Sequence, residues 1–218
     1  MPFLSKSPRI ALFGTSADPP HLGHQSILLW LSEQFDHVVV WAADNPYKER
    51  QSPIGDRAQM LRLLIDTLHT SESTSNISVE QQLSDRYSIN SITCARQIWP
   101  KADFSFVVGA DLLAQLPQWY QAQDIFKQVK ILVFPRPGYP LDQTPLDNLR
   151  QLATVEIAHP PAQHDVSSST YRQTRCDKDR RPTHALGSLP PVIRDYITEH
   201  DLYSCLQQTT TAKISTGR

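Results

Sequence analysis

Two kinds of apolar segment alternate along this chain, and that alternation constrains the fold more than any other feature. Short continuous runs rich in β-branched and aromatic residues read as strands buried on both faces: "RIALF" (9–13), "DHVVVWAA" (36–43), "FSFVVGAD" (104–111) and "VKILVFPRPGY" (129–139). "NISVEQQ" (76–82) and "ATVEIA" (153–158) read as two more strands. Between them lie segments with helical spacing: "HQSILLWLSEQF" (24–35), "DRAQMLRLLIDTL" (56–68) and "SINSITCARQIW" (88–99). Short helices are expected as far as Phe126, and "LPPVIRDYITEHDLY" (189–203) reads as a terminal helix. Strand and helix in turn build a doubly wound parallel α/β sheet with a C-terminal helical segment. Ligands of such sheets lie beyond the carboxyl ends of the strands. The special clusters fall there, at 14–24, 44–48, 109–111 and 136–139.

A chain of 218 residues, 39% hydrophobic, is long enough for one domain with decoration, expected over residues 1–206. The segment 207–218, "QQTTTAKISTGR", has too little apolar content to fold and is expected to be disordered. A net charge of −1 gives no global drive toward nucleic acid or anionic lipid, so any anion site must be local. Cys94, Cys176 and Cys205 form no CxxC pair and read as reduced thiols. No apolar run approaches the roughly 20 residues of a membrane span. The first ten residues also lack the apolar core of a signal peptide. A soluble, cytoplasmic protein is expected, and a homo-oligomer is left open.

The cluster after the first strand is "GTSADPPHLGH" (14–24). Gly14 lets the chain leave the strand tightly. If a helix begins near Gly23, His24 lies in its first turn, where unpaired N–H groups and the dipole favour an anion. Spacing alone is evenly divided between phosphate-handling histidines and a metal pair or idle loop residues. Asp18 is the one further ligand nearby, so zinc is poorly supported. A second cluster, "VSSSTYR" (166–172), can cap a helix with Ser167 to Ser169 and set Arg172 on the same helical face.

The first cluster resembles the signature G-G-[ST]-F-D-P-x-H-x-G-H of the HxGH nucleotidyltransferase superfamily. It matches at Gly14, Ser16, Asp18, Pro19, His21, Gly23 and His24, and departs at Thr15 and Ala17, where Gly and Phe are usual. The second resembles that superfamily's I-S-S-[ST]-x-[IV]-R, with Val166 for Ile and Tyr171 as the second apolar residue. The stretches "NPYKE", "PIGDRAQML", "YSINSI", "GADLLAQLPQW" and "FPRPGY", with the closing "LPPVIRDYITEHDLY", are similar to the nicotinate mononucleotide adenylyltransferase family over about residues 8 to 204.

That resemblance implies a Rossmann-like nucleotidyltransferase fold and adenylyl transfer from ATP to nicotinate mononucleotide. Mg²⁺ would be held mainly by ATP phosphates and water. It implies catalytic roles for His21, His24 and Arg172. It places Gly14, Thr15, Ser16, Asp18, Gly23, Gly109, Asp111, Ser167, Ser168 and Ser169 around ATP. Lys48, Tyr87, Ser88, Asp111, Trp119, Tyr120 and Arg136 would surround the mononucleotide, with the Trp119 indole stacked on the pyridine ring. Backbone N–H groups of the Tyr87–Ser88 turn would meet the ring carboxylate, although Thr is more usual at Ser88. Without the resemblance, Trp119 reads better as a core anchor. Lys48 reads equally as part of a solvated loop, and Arg57 as a surface-helix residue.

Competing readings are transfer to nicotinamide mononucleotide or to phosphopantetheine, a non-catalytic nucleotide sensor, and an RNA-binding module using the basic run 175–181. The short phosphopantetheine enzymes lack the Trp119 and "RPGY" segments. Neutral net charge and the lack of an RNA-recognition motif disfavour the last. His37, His69, His159, His164, His184 and His200 match no motif.

Overall fold

The computed structural model describes residues 6–45, 48, 51–69, 74–135, 141–160, 167–176 and 188–204. In chain order the elements are β1 (Arg9–Thr15), α1 (Leu22–Gln34), β2 (His37–Ala42), α2 (Ile54–Leu68), β3 (Ile77–Val79), α3 (Ser88–Ile98) and β4 (Asp103–Gly109). They continue with α4 (Ala122–Gln128), β5 (Lys130–Phe134), α5 (Gln143–Leu152), β6 (Val155–Ile157), α6 (Ser168–Cys176) and α7 (Pro191–Glu199).

The six strands form one parallel sheet in the order β3-β2-β1-β4-β5-β6. The chain starts at the centre, winds outward to β3, then returns to the other side of β1 as β4. Direction of winding therefore reverses between β1 and β4, which opens a crevice at their carboxyl ends. Register is fixed there by Leu12, opposite Val39 on one side and Phe106 on the other.

Both faces of the sheet are covered, as the continuous apolar runs require. Ala11, Phe13, Val38 and Val40 point to one side, against Leu28 and Leu31 of α1, Met60, Leu61 and Leu64 of α2, and Ile193 and Ile197 of α7. Ile10, Leu12, Val39 and Trp41 point to the other, against Ile89 and Ile92 of α3, Ile125 of α4 and Leu146 and Leu149 of α5. The expected doubly wound sheet is the one observed.

Three local differences have physical causes. The strand expected over 76–82 stops at Val79, because the Gln81 side chain takes over the neighbouring strand's edge. Its Oε1 accepts from Ala42 N at 3.0 Å and its Nε2 donates to Ala42 O at 2.9 Å. The strand expected over 104–111 ends at Gly109, and residues 110–112 form a single tight turn. Helix α5 is absent from the alternation read above. Its Asp142 Oδ1 accepts from Thr144 N at 3.1 Å, and Pro145 sits in the first turn, where a missing N–H costs no intrahelical bond. The segments 136–140 and 207–218 lie outside the described residues.

Candidate active site

The loop between β1 and α1 is shaped by close approach and by a left-handed turn. A Cβ on Gly14 would come within 2.8 Å of the indole of Trp41, its partner across the ladder, so only glycine lets the strands close here. Ala17 adopts a φ of 45° while fully buried, and the Asp18–Pro19 peptide is cis. His21 is the N-cap of α1, whose first residue, Leu22, is one earlier than the start near Gly23 expected from sequence.

The two histidines cap the helix reciprocally. His21 Nδ1 accepts from Gly23 N at 3.1 Å, and His24 Nδ1 accepts from His21 N at 3.2 Å. This is a capping box built from imidazoles instead of a hydroxyl and a carboxylate. A ring nitrogen that accepts a hydrogen bond carries no proton, so the network assigns the proton of each neutral ring to Nε2. His24 Nε2 lies 3.0 Å from Thr15 Oγ1 and donates to it, while the two rings stand 4.1 Å apart between centroids. Both rings thus sit at the positive end of a 13-residue helix with Nε2–H as their donor.

Helix α6 approaches from the far end of the sequence. Ser167 Oγ accepts from Thr170 N at 3.2 Å, and Ser168 Oγ donates to Pro19 O at 2.9 Å. Arg172 Nη1 donates to Asp18 O at 2.6 Å and pairs with Asp18 Oδ2 at 3.5 Å. Its Nη2 lies 3.5 Å from Ser169 Oγ. The serines therefore play separate parts: Ser167 caps its own helix, Ser168 staples the helix to the loop, and Ser169 borders the cleft beside Arg172.

Asp18 is 1% exposed and does not line the cleft. Its Oδ1 accepts from Tyr203 OH at 2.7 Å and from Ser52 N at 3.4 Å. Burial, reinforced by the Asp18 carboxylate, pushes the Tyr203 phenol far above its ordinary range, so it stays a donor. Tyr203 also meets the Tyr171 ring edge-on, at 6.0 Å between centroids. Asp18, expected around ATP, therefore sits behind the cleft wall, with Oδ1 held by Tyr203 and Ser52 and Oδ2 facing Arg172. Ser167 likewise does not line the cleft; its hydroxyl meets Thr170 of its own helix.

Arg57 is a second internal strut. It is 3% exposed and donates through Nε to Ser52 O at 2.9 Å, and through Nη1 to Ser16 O at 3.1 Å and Ala43 O at 2.8 Å. Burial lowers its pKa, offset partly by Asp18, Asp44 and Tyr203. Neither a phosphate contact nor a surface position describes it; it ties the loops after β1 and β2 together. Lys48 Nζ donates to Ser16 Oγ at 2.9 Å from the rim of that junction.

These loops enclose a cleft of about 890 Å³ at the carboxyl end of β1, β2 and β4. Gly14, Thr15, Ser16, His21, Gly23, His24, Lys48, Ser168, Ser169 and Arg172 border one part. Tyr87, Ser88, Gly109, Asp111, Trp119 and Tyr120 border the other. The Tyr87 and Tyr120 rings lie 4.6 Å apart, and Trp119 meets Phe106 edge-on at 6.3 Å. Tyr120 is 55% exposed. One expectation changes here: the Tyr87 N–H donates to Asp85 Oδ1 at 2.8 Å and is already spent. Ser88 opens α3, and its N–H is among those that a helix leaves without an intrahelical acceptor. Arg136 lies outside the described residues. Among the described residues no group of three or more His, Cys, Asp or Glu could hold a metal ion.

Sequence reasoning missed Tyr203 and the true role of Arg57. Their partners lie 185 residues away in one case and on backbone carbonyls in the other, so neither leaves a local pattern.

Residues 12–174 match the family model described as Cytidylyltransferase-like. A probable nicotinate-nucleotide adenylyltransferase of Synechocystis sp. is 40% identical over 212 residues, covering 89% of this chain and 98% of that relative. Nicotinate-nucleotide adenylyltransferase of Bacillus subtilis is 26% identical over 200 residues, covering 89% of this chain and 98% of its own. Among solved structures, Plasmodium falciparum nicotinic acid mononucleotide adenylyltransferase complexed with NaAD superposes with a TM-score of 0.76 at 18% identity. That match covers 90% of this chain and 97% of the other, and is a likeness of fold.

Proposed function

This chain belongs to the cytidylyltransferase-like family, among relatives named as nicotinate-nucleotide adenylyltransferases, and from that premise we propose that it transfers an adenylyl group from Mg·ATP to nicotinate mononucleotide. The products are nicotinic acid adenine dinucleotide and pyrophosphate. A phosphate oxygen of the mononucleotide attacks the α-phosphorus in line, and the bond from that phosphorus to the bridging oxygen of the leaving pyrophosphate breaks. Negative charge builds on the leaving group and on the α-phosphate oxygens. Positioning and charge stabilisation therefore carry the reaction, and no covalent enzyme intermediate is called for.

The observation that carries this reading is the reciprocal imidazole cap, which presents two Nε2–H donors at the N-terminus of α1. His21 and His24 would stabilise the α-phosphate, His24 by turning its Nε2–H from Thr15 to the ligand. Arg172, with Ser169 and the first turn of α6, would hold the outer phosphates. Mg²⁺ would be held mainly by the ATP phosphates and water, where it would neutralise charge on the leaving pyrophosphate. Trp119, flanked by Tyr87 and Tyr120, offers the aromatic face that a pyridine ring requires.

Pyrophosphate release from Mg·ATP, with nicotinate mononucleotide, nicotinamide mononucleotide or phosphopantetheine as acceptor, tests the reading. Preference for the nicotinate form is expected. Preference for another acceptor would overturn the pocket assignment, and silence with all three from folded, ATP-binding protein would overturn the reaction.

A further inference from the structure

Six charged side chains border the cleft: Asp44, Lys48, Asp85, Arg86, Asp111 and Arg172. Two of the three cations are engaged in the phosphate half, Arg172 with Asp18 and Lys48 with Ser16 Oγ. The third, Arg86, stands in the other half. Its guanidinium carbon is 5.7 Å from the centroid of Tyr87, whose ring is 4.6 Å from that of Tyr120, the neighbour of Trp119. The aromatic slot thus has a cation beside it. Asp85, next in sequence, directs Oδ1 to Tyr87 N at 2.8 Å and to Asn90 Nδ2 at 2.9 Å, leaving that oxygen committed to the turn.

This arrangement bears on the charge of the acceptor's ring substituent. Three aspartates border the cleft, and a carboxylate entering it meets their repulsion, whereas a neutral carboxamide does not. One neutral donor that could receive a carboxylate, the Tyr87 N–H, is already spent. A guanidinium supplies both the missing charge and a planar two-donor fork matched to a carboxylate. Arg86 is exposed, and its 5.7 Å contact with the half-buried Tyr87 ring is weak enough to be exchanged for that ion pair.

Resting on the adenylyl-transfer reaction above, we propose that Arg86 is a specificity-determining residue that selects an acceptor with an acidic ring substituent by pairing with its carboxylate. The sequence signatures do not include this position, and the side chain lies on the acceptor side of the cleft, away from the capped histidines.

The test compares kcat/KM for nicotinate and nicotinamide mononucleotides in the wild-type protein, Arg86→Gln and Arg86→Lys. Loss of one charge-assisted contact should lower kcat/KM of Arg86→Gln for the nicotinate form by about tenfold or more, through KM, with kcat within about twofold. The nicotinamide value should stay within about twofold, and Arg86→Lys should recover part of the loss. Selectivity of the wild type should also fall as ionic strength rises, and that of Arg86→Gln should not. An unchanged acid-to-amide ratio in Arg86→Gln, or equal loss on both acceptors, would overturn the proposal. Failure of the wild type to use either acceptor would instead fall on the reaction itself and take this inference with it.

Discussion

The two halves of the cleft are built in different ways. Around His21 and His24, nearly every polar group is tied to something distant: Ser168 to Pro19, Arg172 to Asp18, Tyr203 to Asp18, Arg57 to Ser16 and Ala43. Around Trp119 the long-range contacts described are aromatic, the Asp85 hydrogen bonds stay within their own turn, and Tyr120 is largely exposed. A phosphate site needs donors fixed before the charge develops, since reorganising them during the reaction would forfeit their benefit. A ring-binding slot needs area and a face, which two or three side chains supply without a network. In the proposed reaction, the tied half governs turnover and the open half governs acceptor affinity.

That division can be broken in order of expected effect. His21→Ala or His24→Ala removes a donor together with half of the reciprocal cap, and kcat should fall by about 10²–10³. Near-normal turnover in either variant, measured by pyrophosphate release, would refute the catalytic role. Trp119→Ala should raise KM for the mononucleotide by about tenfold while kcat changes little, because it removes a stacking surface and no donor to the reacting phosphate. Tyr203→Phe leaves the buried Asp18 carboxylate short of one hydrogen bond, and should destabilise the fold by about 1–3 kcal/mol in a denaturant titration. Its KM for the acceptor should be unaltered; a raised acceptor KM would show that the two halves are not independent.

The smallest effect lies outside both halves and serves as a control. His37, at the start of β2, has its pKa lowered from 6.5 by burial, with Glu80 opposing, and its Nε2 contacts Ser78 Oγ at 2.8 Å. A group whose folded pKa is depressed favours the folded state while neutral. Its contribution is present above about pH 6.5 and is lost as pH falls toward the folded value. Stability measured between pH 7 and 5 should decline less steeply in His37→Gln, with turnover untouched at neutral pH. An identical slope in both proteins would remove His37 from the account.

Much of this could be read from the chain before any coordinates. Continuous runs such as Val38–Val40 and Phe106–Val108 have few homes other than a doubly covered parallel sheet. Two histidines around a glycine, after a strand and before a helix, located the cleft. The sequence was silent where the relevant partner is remote or is backbone. Asp18 was placed around ATP by the motif it belongs to; its burial by Tyr203 is a tertiary fact. Arg57 looked like an ordinary helix residue, since nothing near it in sequence reveals that carbonyls of two loops converge on it. Helix α5 was hidden by Pro145, which interrupts a helical pattern unless it falls in the first turn, as it does here.

The most direct test is a steady-state comparison of His21→Ala with Trp119→Ala, resolved into kcat and mononucleotide KM. His21→Ala should lower kcat by about 10² or more with acceptor KM close to wild type, and Trp119→Ala should raise acceptor KM with kcat close to wild type. Both variants shifting the same parameter, or His21→Ala turning over at the wild-type rate, would contradict that division.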